Sequence, residues 1–152
     1  MKTRCHRTGM IFKKSNIKVL PHDTDAFGRL NWMAYARYCE EGEVGLLETL
    51  GFSVMHFYRT LKISFPRRAA TFEYFSPVAP DSLIDIESSV KRVGKTSFTL
   101  SHIFYKKNSV DGERKIAANA VVTGVAFDEQ AFQKTDLPRQ LSDALKKFCS
   151  EP

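Results

Sequence analysis

The chain has 152 residues, 43% hydrophobic and 26% charged, which suits one globular domain with its own core and excludes a disordered or fibrous chain. The formal net charge is +6, but the Lys and Arg residues are dispersed and accompany no nucleic-acid motif, and no apolar run is long enough to span a bilayer. Cys5, Cys39 and Cys149 are odd in number and far apart, which argues against a disulfide framework and for a reducing, cytoplasmic setting.

Residues 1–9 read as a loose arm; the first fourteen residues are basic, with no apolar core or cleavage site of a signal peptide. Residues 10–20 are rich in apolar and β-branched side chains and predict a first strand. An acidic turn, Asp23-Thr24-Asp25, passes Gly28 and leads to Asn31, where a long helix is expected to start. Asn31 suits the N-cap, because its side chain can accept a bond from a first-turn N–H that has no helical partner. Gly51 suits the stop, because glycine enters the left-handed region without a Cβ penalty. Between them Met33, Tyr35, Tyr38, Cys39, Leu46, Leu47 and Leu50 recur at helical spacing. Gly42 and Gly45 fall mid-helix, where each costs about 1 kcal/mol relative to Ala, so another element is expected to approach that face closely.

Residues 52–60 are aromatic and irregular, a short helix or loop. Residues 62–76 predict a second strand, with Pro66 marking a bulge or an edge. After the turn SPVAPDS come Leu83–Val90 in clean alternation, a turn at Gly94, a strand over 96–106, a hairpin loop over 108–112 and a strand over 114–127 rich in Ala and Gly. A short amphipathic helix over 138–148 ends the chain. Strand, helix, then four strands in meander predict a single α+β domain over 1–152, with an antiparallel sheet of five to six strands wrapped around one long helix. One sheet face or a sheet edge is then left open, which predicts oligomerisation.

The run Asp23-Thr24-Asp25-Ala26-Phe27-Gly28-Arg29-Leu30-Asn31, followed by Tyr35 and Glu40-Glu41, resembles the signature of the 4-hydroxybenzoyl-CoA thioesterase family of hot-dog fold. Tyr74, Pro77 and Asp81-Ser82-Leu83 resemble that family's second turn, and Arg92-Val93-Gly94-Lys95-Thr96-Ser97 its basic turn. The matches run from about Ile17 to the last helix, and their order and spacing make them specific together. Two features depart from the pattern. Arg29 stands where many members have His, and Trp32-Met33 where many have a second Asn or Tyr. Both bear on substrate identity.

The resemblance implies hydrolysis of an acyl-CoA or acyl-carrier-protein thioester by a homodimer or homotetramer, with no cofactor, metal, nucleic acid or membrane partner. Thioester hydrolysis needs a base or nucleophile at the carbonyl carbon and donors aimed at the oxyanion. By resemblance Asp25 is that nucleophile or general base, and the backbone N–H of Trp32 is the oxyanion donor. A helix N-terminus suits this role, since it carries partial positive charge and free N–H groups. By the same resemblance Tyr35 contributes to substrate binding, and Arg92 and Lys95 hold the nucleotide end of CoA. The resemblance gives Asp23 no bond-making role, and at least one of Glu40 and Glu41, two to three turns past the helix start, reads as a solvated or structural charge. His22 beside Asp23 lacks further metal ligands at sensible spacing, and His102 reads as packed or interfacial. Arg67 and Arg68 are left open between a polar acyl group and a partner subunit. Phe52, Phe57, Tyr58 and Phe65 suit core packing or an acyl pocket. A non-catalytic acyl-CoA-binding regulatory module is the alternative reading. A hot-dog hydratase ranks last, because no His occupies the turn-to-helix position.

Overall fold

The computed structural model describes residues 3–4 and 9–150. The elements run β1 (Thr3–Arg4), β2 (Phe12–Lys18), a 3-10 turn (Pro21–Asp23), α1 (Trp32–Thr49), α2 (His56–Leu61), β3 (Ile63–Ser64), β4 (Arg67–Tyr74), β5 (Leu83–Val93), β6 (Ser97–Lys107), β7 (Lys115–Val125), β8 (Phe127–Asp128), β9 (Gln133–Lys134) and α3 (Arg139–Ser150). Six strands form one antiparallel sheet in the order β1-β5-β6-β7-β4, with β2 also paired to β5. The expected four-strand meander is corrected here. Only β5, β6 and β7 follow one another, while β4 lies beyond β7 at the far edge. Part of the expected loose arm is corrected too, since Thr3–Arg4 pair with Arg92–Val93; most of residues 1–8 lie outside the described residues. Cys39 is a free, buried thiol, whereas Cys149 is disulfide-bonded, against the expectation from the cysteine count.

Helix α1 packs across one face of the sheet, against β2, β5 and β6. Its inner side packs Ala34, Tyr35, Tyr38 and Cys39 against Ile84, Ile86, Phe104 and the small residues Ala118 and Ala120. Alanines on β7 let the aromatic side chains of the helix sit down on the sheet. The other half of the core joins Leu46 and Leu47 to Val90, Phe98 and Leu100, and to Leu141, Leu145 and Phe148 of α3. Truncating a fully buried ring such as Phe104 costs about 3–5 kcal/mol.

The two mid-helix glycines have the close neighbours that their positions implied. A Cβ on Gly42 would collide with Ser88 Oγ and come within 3.0 Å of His102 Nδ1. A Cβ on Gly45 would collide with the Phe12 ring. The helix ends are also built as expected. Asn31 Oδ1 accepts from Met33 N–H at 3.0 Å, and Gly51 follows the last turn with φ +88°.

Candidate active site

The segment before α1 is a small closed loop. Thr24 and Leu30 form an antiparallel bridge, Asp25 N–H donates to Arg29 O at 2.7 Å, and Gly28 N–H donates to Asp25 O at 3.1 Å. Gly28 sits at φ +70°, a conformation that strains any side chain with a Cβ. Asn31 N–H to Asp23 O at 2.7 Å closes the base of the loop, and Leu30 N–H to Val78 O at 2.8 Å ties it to the turn before β5.

The two aspartates of the loop have different tasks. Asp23 is buried. Its Oδ1 pairs with Arg37 Nη2 at 2.5 Å, and its Oδ2 accepts from Leu20 N–H at 3.3 Å. His22 Nε2 lies 3.7 Å from the same Asp23 Oδ1. Asp23 therefore bolts the loop to the first turns of the helix. Asp25 is half-buried and pairs with no cation among the described residues. Its Oδ1 accepts from the N–H groups of Phe27 at 2.8 Å and Arg29 at 3.1 Å. That fixes the carboxylate and leaves Oδ2 without a protein donor among the described residues.

Asp25 lines a cleft of about 320 Å³ together with Arg29, Trp32, Tyr35, Tyr74, Phe75 and Pro77. The structure thus brings together three residues singled out in the sequence, Asp25, Trp32 and Tyr35. The Trp32 N–H is the first of the helix and bonds to no protein group among the described residues. Tyr35 is buried, 5.3 Å ring to ring from Tyr74 and 5.2 Å from Phe104. Burial pushes its phenol up to about 12, so at neutral pH it is an uncharged wall and donor. Phe75 was not legible as a site residue, because it reads as one more apolar residue at a strand end.

Arg92 and Lys95 are elsewhere in the chain. Arg92 lies toward the other end of β5 from the cleft: Tyr74 of the cleft is level with Ile86 across the sheet, and Arg92 is six residues, or roughly 20 Å, further along the strand. It lines a shallow cavity of about 270 Å³ with Lys91, Thr71, Thr99 and Thr123. Lys95 is 3.7 Å from Asp136, both exposed. Glu40 and Glu41 also avoid the cleft; Glu41 bonds Lys14 at 2.8 Å. Arg67 is answered internally, with Nη2 2.6 Å from Oε2 of Glu43. Glu43 is buried, and desolvation raises its carboxyl despite Arg67. His102 is wholly buried and bonded to Ser88, a packed residue as expected. Phe52, Phe57 and Phe65 pack in the core at the other end of the helix. Among the described residues no group of His, Cys, Asp or Glu is arranged to hold a metal, and no helix is long and apolar enough to cross a membrane.

Residues 19–145 match the thioesterase-like superfamily. The chain is 23% identical over 124 residues to the 1,4-dihydroxy-2-naphthoyl-CoA hydrolase of Crocosphaera subtropica, covering 82% of this chain and 88% of that protein. It is 23% identical over 131 residues to the acyl-CoA thioester hydrolase YbgC of Escherichia coli, covering 86% and 93%. Its fold superposes on the crystal structure of a 1,4-dihydroxy-2-naphthoyl-CoA thioesterase from Synechocystis with a TM-score of 0.78 at 17% identity, covering 90% of this chain and 96% of the other.

Proposed function

Since the chain belongs to the thioesterase-like superfamily, we propose that it hydrolyses an acyl-CoA thioester, with Asp25 as the reacting carboxylate and the Trp32 N–H as oxyanion donor. One observation carries this reading: an unpaired carboxylate, held by two backbone N–H groups, shares a cleft with the free N-terminus of α1. The curated relatives named above are both hydrolases of CoA thioesters by name.

The chemistry follows from the charges. Asp25 acts on the thioester carbonyl carbon, directly as a nucleophile or through a water from which it takes a proton. Electron density moves onto the carbonyl oxygen, where the helix N-terminus offers N–H donors and partial positive charge. The carbon–sulfur bond then breaks and the thiolate of CoA leaves, taking up a proton; on the water route this step gives the free acid, and on the nucleophilic route a water then hydrolyses the acyl–Asp25 anhydride, releasing the acid and restoring the carboxylate. Tyr35 and Tyr74 form an aromatic wall for the acyl group.

Two copies complete the site in this proposal. Strand β4 pairs with β7 on one side and with nothing on the other among the described residues. Antiparallel pairing of two β4 edges reverses the second copy, so its Arg92 end is carried toward the first copy's Asp25 end. Arg92 and Lys95 of that second copy then suit the phosphates of CoA. A panel of acyl-CoA substrates, followed by release of free thiol, tests the reading. Turnover well above buffer hydrolysis supports it, and binding without turnover by any member of the panel overturns it.

A further inference from the structure

We infer that Arg29 selects thioesters whose acyl group carries an anionic substituent such as a carboxylate. The inference rests on the thioesterase reading and deepens it. Arg29 lines the same cleft as Asp25, Trp32, Tyr35, Tyr74 and Phe75. Arg37, Arg67 and Arg114 are answered by Asp23, Glu43 and Glu87; Arg68 and Arg92 on the sheet pair with no carboxylate among the described residues but line no part of this cleft. Arg29 has no carboxylate within ion-pairing distance among the described residues. Asp25 is four residues away, but its Oδ1 is taken by backbone N–H groups, one of them that of Arg29 itself.

The backbone holds the pair in a fixed relation, because Asp25 and Arg29 bond to each other in both directions across the loop. The cleft therefore presents one reacting carboxylate and one unspent guanidinium. Asp25 alone would repel an anionic acyl group, and Arg29 offsets that repulsion. A guanidinium offers a planar fork of donors that matches a carboxylate. The aromatic walls suit a ring between the two charges. The phosphates of CoA lie at the far end of the pantetheine arm from the thioester, so a cation in the same cleft as Asp25 meets the acyl part of the ligand.

The test compares benzoyl and 4-carboxybenzoyl thioesters, each on CoA and on phosphate-free N-acetylcysteamine, for wild type, Arg29→Gln and Arg29→Lys. Wild type is expected to prefer the carboxylated acyl group on both carriers. Arg29→Gln should lower that preference in kcat/KM by about tenfold or more, chiefly through KM. Arg29→Lys should restore part of it, since a point charge replaces the fork. A loss that follows the carrier's phosphates, an equal loss on the neutral phosphate-free thioester, or no preference in wild type each overturns the assignment. The same four ligands titrated into Asp25→Asn, with and without Arg29→Gln, read binding without turnover. If no thioester turns over, the thioesterase reading falls, while these titrations still decide the role of Arg29.

Discussion

At the scale of single residues, the loop divides its labour between two carboxylates of the same type. Asp25→Asn preserves the acceptor that binds Phe27 and Arg29, so the fold should persist, yet an amide can neither attack a thioester nor take a proton. We expect kcat to fall by roughly two to four orders of magnitude, with thermal unfolding near wild type; a folded variant of normal kcat would remove Asp25 from the chemistry. Asp23→Ala should instead lower stability by about 1–3 kcal/mol, because it strips Arg37 and the Leu20 N–H of their acceptor. His102 sets an acid limit. Burial lowers its imidazole from 6.5 to about 4. Between these values the unfolded chain binds a proton that the folded chain refuses, so stability is fully present above about pH 6.5 and falls as pH drops toward 4. The contribution is about 3 kcal/mol. Urea melts at pH 7 and pH 4 should show a smaller difference in His102→Gln; an unchanged difference would assign the acid sensitivity to other groups.

At the scale of elements, the helix was legible because its signals are local. Asn31, the apolar spacing and Gly51 each act within a few residues, and all three agree with the observed α1. Strand positions were legible from alternation, but their order was not. Alternation says which face a residue takes and nothing about which neighbour pairs with its strand, so chain order alone puts β4 in the meander beside β5, whereas it lies beside β7. The site was legible only in part for the same reason. Asp25 and Trp32 are joined by the chain itself, whereas Tyr74 and Phe75 reach the cleft through tertiary packing, and the Glu43–Arg67 pair spans 24 residues. Glycine tests the helix–sheet contact directly. Gly42→Ala should destabilise by about 1–3 kcal/mol although alanine favours helix, since Ser88 is buried and committed to His102. Gly45→Ala should cost less, because the half-buried Phe12 ring can swing aside. Denaturant melts of the two variants give the comparison, and equal costs would mean that the Phe12 ring yields no more readily than Ser88 and His102.

At the scale of the whole molecule, the open edge of β4 matters most. An unpaired row of backbone groups is a template for another strand, and a copy of β4 fits it by symmetry. Light scattering at micromolar concentration should give at least a dimer. Because Phe75 N–H bonds Ala117 O, the register turns the N–H groups of Thr71 and Glu73 to β7 and that of Ala70 to the open edge; an Ala70→Pro substitution removes this outward N–H and is expected to shift the population toward monomer. Loss of thiol release in parallel would tie assembly to activity. A wild-type monomer would leave Arg92 and Lys95 stranded at the far end of β5 and would remove them from substrate binding.

The notch at Gly42 has a consequence beyond stability. A rigid helix rises about 1.5 Å per residue, so the place where Gly42 seats over Ser88 and His102 indexes everything else along its axis. Trp32 is ten residues earlier, roughly 15 Å away. Sliding α1 by one turn would withdraw its first N–H from beside Asp25 and would drive a larger side chain into the Ser88–His102 seat. The seat thus works as a longitudinal key: from ten residues away it sets where the first helical N–H stands relative to the loop that carries Asp25.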